Sequence, residues 1–321
     1  MAHQVETMAY AGAKPWHGLG VPVSNDLTPQ QMQTKAGLDW VVEKRDIFVK
    51  DNFGDDIRIP GKKALTRSSD EKVFDVVGDD WNPIQNDAAF AFFNEYVAAG
   101  DMTMETAGAL NDGRRVFALA KVKDSFSILG DDQVDSYLLF SNPHEYGRAI
   151  DIRFTPIRVV CNNTLTFSLQ SASKNYVKLN HRTLFDADLV KAQMGLASEK
   201  FAMYKDMAEF LSTKKFTVDN LIHYYNDVFP HTYAKGKEKA ENVCRENLSL
   251  NAKTAFEVLE TQPGAEYGAG TWWSALNSVT YMTDHMMGRN AQSRLTSAWF
   301  GQNGRRKVRA VNKAVEYANA S

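Results

Sequence analysis

METAGALNDGRRVFALAKV, residues 104–122, is the stretch whose reading decides the fold. Two strand-like runs flank Asn111-Asp112-Gly113, and Gly and Asn tolerate the positive φ of a tight hairpin turn. On the returning run Val116, Ala118, Ala120 and Val122 share one face, Phe117 and Leu119 the other. Both faces are apolar, so a strand covered on both sides is predicted. Working outward, SYLLF (136–140), the turn Asn142–Gly147 and RAIDIRF (148–154) repeat the hairpin pattern, with Ile150, Ile152 and Phe154 alternating with Asp151 and Arg153. IRVVCNNTLTFSLQ (157–170) follows, where Asn162-Asn163-Thr164 either caps a short helix or makes a tight turn. NYVKLNH (175–181) reads as a last strand, and Asp124–Val134 as a polar loop.

Upstream, Thr28 followed by Pro29 marks a helix start, and Gly37 lies at its end. DWVVEKRDIFVK, IRIPGKKALTR and VFDVVG are candidate strands, with a turn at Asn52–Asp55. A single helix is expected from Asn86 or Asp87 through Ala99, closed by Gly100. Within residues 1–26, Pro15–Gly20 reads as a compact turn in which Trp16 docks the terminus. From Leu184 onward the pattern is helical: an amphipathic stripe over 185–211, a helix capped by Thr217 and stopped before Pro230, a charged helical stretch over 234–260 that includes Cys244, a linker or mobile loop at 262–270, and helices over Thr271–Met287 and Arg305–Asn319. The predicted class is therefore α+β: an antiparallel β-hairpin sheet with a packed helix, followed by a predominantly helical C-terminal half. The expected domains are residues 1–183 and 184–321, the second either separate or packed on the first as one unit.

The 321 residues carry 37 basic and 39 acidic side chains, a formal net charge of -2, so global charge gives no argument for a nucleic-acid partner and a local basic patch would have to supply one. The two cysteines, Cys161 and Cys244, cannot build a disulfide scaffold. The N-terminus has no secretory pattern and no apolar run is long enough to span a membrane, so a soluble chain in the cytoplasm is expected.

No phosphate-binding loop, dinucleotide fingerprint, HExxH, CxxC or GxSxG motif is present, and the seven histidines are scattered singly, which leaves no local support for a metal, a cofactor or a catalytic triad. Cys161, in an apolar run with no base beside it in sequence, reads as core rather than nucleophile. Tyr281, Asp284 and His285 fall together on one helix, as a polar face or part of a site. The cations are grouped. Arg148, Arg153 and Arg158 lie in the second hairpin and its exit, Lys174, Lys178 and Arg182 on the strand that follows, and Arg305 and Arg306 in GRRKVRAVNK near the end. Cations interleaved with aromatics suit a single strand, whose phosphates track the charges while its bases stack on rings; Trp16 and His17 are candidates for the stacking. The competing reading is an ordinary solvated charged face.

PWHGLG (15–20), RVVCNNTL (158–165), GTWWSALNSVTYMTDH (270–285) and RLTSAWFG (294–301) together resemble the phage/plasmid-like protein family, a domain of unknown function numbered 932. The resemblance implies a mobile-element origin and supplies no catalytic residues. Hairpins feeding a helix are also similar, at the level of fold, to the core of single-strand annealing recombinases. The expectation is a phage protein that binds single-stranded DNA and anneals strands without ATP, as a homo-oligomer in the host cytoplasm, through Arg148, Arg153, Arg158, Lys174, Lys178, Arg182, Arg305 and Arg306 with Trp16 and His17. Two alternatives stand beside it: a phage enzyme acting on nucleic acid or nucleotides through His17, Asp284 and His285, and a host-directed interaction protein.

Overall fold

The computed structural model describes residues 5–12, 19–158, 163–164, 176–179, 181, 201–231 and 243–320, with only the backbone at 5, 124, 158, 163–164, 176–179 and 292. The strands are β1 (Val5–Ala11), β2 (Val21–Val23), β3 (Val42–Lys50), β4 (Asp56–Arg67), β5 (Val73–Gly78), β6 (Met102–Leu110), β7 (Arg115–Ile128), β8 (Asp132–Pro143), β9 (Ile150–Arg158), β10 (Asn163–Thr164) and β11 (Tyr176–Leu179). The helices are α1 (Pro29–Lys35), α2 (Asn86–Ala91), α3 (Asn94–Ala98), α4 (201–213), α5 (Val218–Val228), α6 (Leu250–Thr261), α7 (Trp272–Tyr281), α8 (Ala291–Phe300) and α9 (Gln302–Asn319). The α+β class is therefore observed, with strands early and helices late. No helix among the described residues is long and apolar enough to cross a membrane.

One sheet runs β10-β9-β8-β7-β6-β1-β2, with β11 also pairing with β9; a second runs β3-β4-β5. The pairings with described register are antiparallel, apart from the parallel β1–β2 pair. At the β6–β7 turn Asn111, Asp112 and Gly113 take φ of 54°, 58° and 87°, the left-handed region the sequence anticipated. Phe117 and Leu119 are buried as fully as Val116, Ala118 and Ala120, so β7 is covered on both faces.

The chain divides into two compact units, each assembled from three segments: Met1–Lys123, Tyr137–Phe154 and Tyr176–Gly195 in the first; Asp124–Ser136, Thr155–Asn175 and Leu196–Ser321 in the second. β7 and β8 thus contribute residues to both. The first unit packs α1, α2 and α3 with the sheet around Trp40, Phe74, Trp81, Phe92, Phe93 and Phe140. The second gathers α4–α7 and α9 around Trp272, Trp273, Tyr224 and Tyr225, with α8 packed on α9. In α7 every residue from Trp272 to Thr280 is buried, because helices surround it. Trp273 Nε1 donates to Asp132 Oδ2 at 2.8 Å and Tyr225 shares a hydrogen bond with Ser278 Oγ at 2.7 Å, so these rings bury area, worth about 1.5–3 kcal/mol each, without orphaning those polar atoms.

Several local expectations are corrected. Residues 124–134 are no loop: β7 runs to Ile128, a tight turn places Leu129 and Gly130 at φ of 50° and 89°, and β8 starts at Asp132. Phe126, Ile128 and Val134 alternate into the second core, a pattern the polar neighbours hid. The helix expected over 86–99 is split. Phe93 N–H bonds to Phe90 O, tightening a turn that sets Phe92 and Phe93 side by side against Phe140, with ring centres 6.0 and 6.1 Å from it. The terminus also supplies β1, paired with β6, which the sequence reading did not separate out, and the turn expected at 15–20 lies mostly outside the described residues. The 262–270 stretch is held at both ends, by Gln262 Nε2 donating to Ser274 O and Thr271 Oγ1 to Gly268 O, and is not a loose linker. Cys244 precedes a short 3-10 turn, Arg245–Asn247. The helix expected after Cys161, at 165–170, lies outside the described residues, as does Cys161 itself.

Candidate nucleic-acid interface

From His285 to Val315 the chain carries Arg289, Arg294, Arg305, Arg306, Lys307, Arg309 and Lys313 and not one Asp or Glu. Its fold explains which of these cations reach solvent. Asn290 and Ser293 form a capping box that starts α8, an element not separated out in the sequence reading. Gly301 and Gly304 let the next helix approach closely: a Cβ on Gly301 would lie 2.9 Å from Ser297 Cα, and one on Gly304 3.0 Å from Ala298 O. Asn303, Lys307, Ala310, Val311, Ala314 and Ala318 then recur at helical spacing on the buried side of α9.

Arg305 and Arg309, one turn apart, are left exposed, and Arg289 before α8 is exposed as well. None of the three has a carboxylate partner among the described residues. The carboxylates flanking the stretch are engaged: Asp284 by Lys307 at 2.9 Å, and Glu316 by Lys313 at 2.9 Å, which also pairs with Asp227 at 3.2 Å. Arg306 is different. Its guanidinium lies over the Phe229 ring at 5.2 Å and donates to Asn303 Oδ1 at 2.7 Å, and burial, then the nearby Arg309, lowers its pKa. Arg306 therefore anchors α9 more than it faces outward. Arg294 is half-buried.

The hairpin cations are more neutralised. Arg148 is exposed but 3.9 Å from Glu145, and Arg153 is ion-paired with Asp151 two residues away on the same strand face. Tyr146, 62% exposed, lies two residues before Arg148 in sequence, with its N–H held by Asp75 Oδ2. Arg158 and Lys178 are placed by backbone register, opposite Asn163 and Asp151 respectively. Trp16, His17, Lys174 and Arg182 lie outside the described residues. The described members of the predicted group are divided between the units: residues 148, 153 and 178 belong to the first, and residues 158, 305 and 306 to the second.

Of the alternative constellation His17, Asp284 and His285, two members are described. After Tyr281 the helix widens into a π turn, Met282–Met286, and Asp284 is fully buried there. Lys307 Nζ, equally buried, donates to Asp284 Oδ1, while Asn303 Nδ2 donates to Thr283 O and Met287 O and closes the turn. A carboxylate shut away on a lysine has no path to a substrate proton. His285 is half-buried against the Tyr281 ring, 4.6 Å between centres. No group of three or more potential metal ligands occurs among the described residues. Sequence reasoning passed over Arg289 and Arg294; the signal that finds them is the run without carboxylates, which a count over the whole chain averages away.

Residues 73–299, well over half of the chain, match the family described as a domain of unknown function, DUF932. No curated protein and no solved structure matches the chain.

Proposed function

Because the chain belongs to the DUF932 family, whose description assigns no activity, we propose from the residues themselves that it binds single-stranded DNA and anneals complementary strands without ATP, as a phage-type recombination protein. The observation carrying this reading is the set of exposed arginines at 289, 305 and 309 in a stretch without carboxylates. Unpaired guanidiniums on a surface favour phosphate, because nothing must be displaced before they bind it. Aromatic faces add the affinity for unpaired bases; Tyr146, two residues before Arg148, is one of the exposed aromatics among the described residues. A formal net charge of -2 is no obstacle when cations and carboxylates are segregated along the chain.

A fluorescently labelled oligothymidine titrated at several salt concentrations tests the binding. Affinity is expected to fall as salt rises, and Arg305→Glu with Arg309→Glu to weaken it and reduce the salt slope by about one per lost phosphate contact. Annealing is read separately, from the rate at which two complementary labelled oligonucleotides pair without nucleotide triphosphate. Absence of salt-dependent binding removes the proposal; binding without faster pairing removes the annealing half.

A further inference from the structure

β3 is the outer strand of the β3-β4-β5 sheet: one edge pairs with β4, and no described strand pairs with the other. It is nine residues long, VEKRDIFVK, and exposed over most of its length, with Phe48 53% and Val49 48% exposed. β5 pairs with β4 only at residues 62–66, so Phe48–Lys50 and Asp56–Arg58 form a two-stranded arm beyond it. The register jump in this ladder is carried by β4, where Ile59-Pro60-Gly61-Lys62 is the extra length, and Gly61 takes φ of 68°. β3 stays continuous. Long, regular, partly apolar edges are what natural sheets avoid leaving open, because their unpaired N–H and C=O groups template another strand.

We propose that the occupant of this edge is β3 of a second copy of the chain, paired antiparallel about a two-fold axis through Phe48 to make one continuous six-stranded sheet. The strand's own charges select this partner and this register. Asp46 falls opposite Lys50 of the second copy and Arg45 opposite Asp51, while Ile47 meets Val49 and Phe48 meets its own equivalent. Moving the axis to residue 47 sets Lys44 against Lys50, and moving it to residue 49 loses both ion pairs. Each of these charged side chains already has a partner within its chain, such as Lys50 with Asp56 at 2.6 Å, an exposed pair, and Asp46 with Lys63 at 2.6 Å, where Lys63 is half-buried; pairs at the surface are cheap to share. The contact is isologous and closed, so it stops at a dimer instead of growing into a filament. It needs no nucleic acid and stands independently of the function proposed above.

Sedimentation of the full chain without DNA, over about 1–100 μM, tests it across the affinity range expected of a small interface. The unmodified chain is expected to move from monomer toward dimer mass. Phe48→Asp, at an exposed position, is expected to stay monomeric, and Lys50→Asp to dissociate at least about ten-fold more readily, because it sets two carboxylates face to face. Asp46→Lys combined with Lys50→Asp restores the opposite-charge pairs and with them the dimer. Monomer mass for the unmodified chain at every concentration overturns the proposal. Dimerisation of Phe48→Asp as tight as that of the unmodified chain does so too, and Lys50→Asp dimerising undiminished overturns the register.

Discussion

Both units bury polar side chains completely, but they do so in opposite ways. In the first, His144 has no exposed surface and neither ring nitrogen has a hydrogen-bond partner among the described residues. It stacks on Phe74 and packs edge-on against Trp40, and burial, with His181 nearby, pushes its pKa down to about 3. His181, stacked on Trp81 with ring centres 4.2 Å apart, is lowered by burial too. In the second unit Asp284 and Lys307 are just as buried but stand 2.9 Å apart as an ion pair. Burial alone penalises charge, and an imidazole can escape by staying neutral. The carboxylate and the ammonium remain inside because each supplies the other's countercharge and hydrogen bond.

The largest way to break this contrast is to remove one member of the ion pair. Asp284→Asn or Lys307→Met is expected to cost about 3–5 kcal/mol, read by denaturant unfolding and by faster amide exchange in α7 and α9. Replacing both, Asp284→Leu with Lys307→Met, should recover most of that loss, since no uncompensated charge remains. If the double variant is as unstable as the sum of the singles, the pairing account is wrong.

Acid should sharpen the contrast from the other side. The unfolded chain protonates a histidine near 6.5, whereas folded His144 resists until about 3, so between these values the unfolded state holds the extra proton. The contribution of His144 to stability is therefore flat above pH 6.5 and falls as pH drops below it, by up to about 1.4 kcal/mol per unit. Asp70, held at about 2 by the Arg67 guanidinium, acts in a lower window, as pH falls from 3.8 toward 2. Amide exchange compared at pH 7.5 and 5 isolates the histidines, and His144→Phe should flatten the profile of β8 and β5. An unchanged profile in that variant would show that the acid sensitivity arises elsewhere.

The smallest expected effect supplies a baseline. Thr28 caps α1 in the first unit and Thr217 caps α5 in the second, both on the surface, with Oγ1 accepting at 3.2 Å in each case. Either Thr→Ala change should cost about 1 kcal/mol, the same in both units within error. A large difference between the two would mean that the units differ in general fragility and not in how they bury polar groups.

The hairpin at 111–113, both helix caps and the helical second half were legible because each is written in neighbouring residues. The Leu129–Gly130 turn was not, since its strands are recognisable only once Phe126, Ile128 and Val134 have a core to enter. The site was less legible still. Arg305 and Arg306 are adjacent in sequence, yet one is exposed and the other is stacked on Phe229, a difference set by the phase of α9 against its neighbours. Arg153 reads as a free cation until Asp151 on the same strand face is seen to engage it.

By itself the sequence determined the class of fold, the positions of most turns and caps, and the segregation of cations toward the end of the chain, all of which depend on patterns a few residues long. Tertiary structure alone decided that each unit is assembled from three separated segments, that Asp284 and Lys307 neutralise each other in the interior, and that no described strand pairs with the outer edge of β3. The physical reason is that burial and countercharge are set by residues tens of positions apart, whose proximity is a consequence of packing and leaves no local pattern to read.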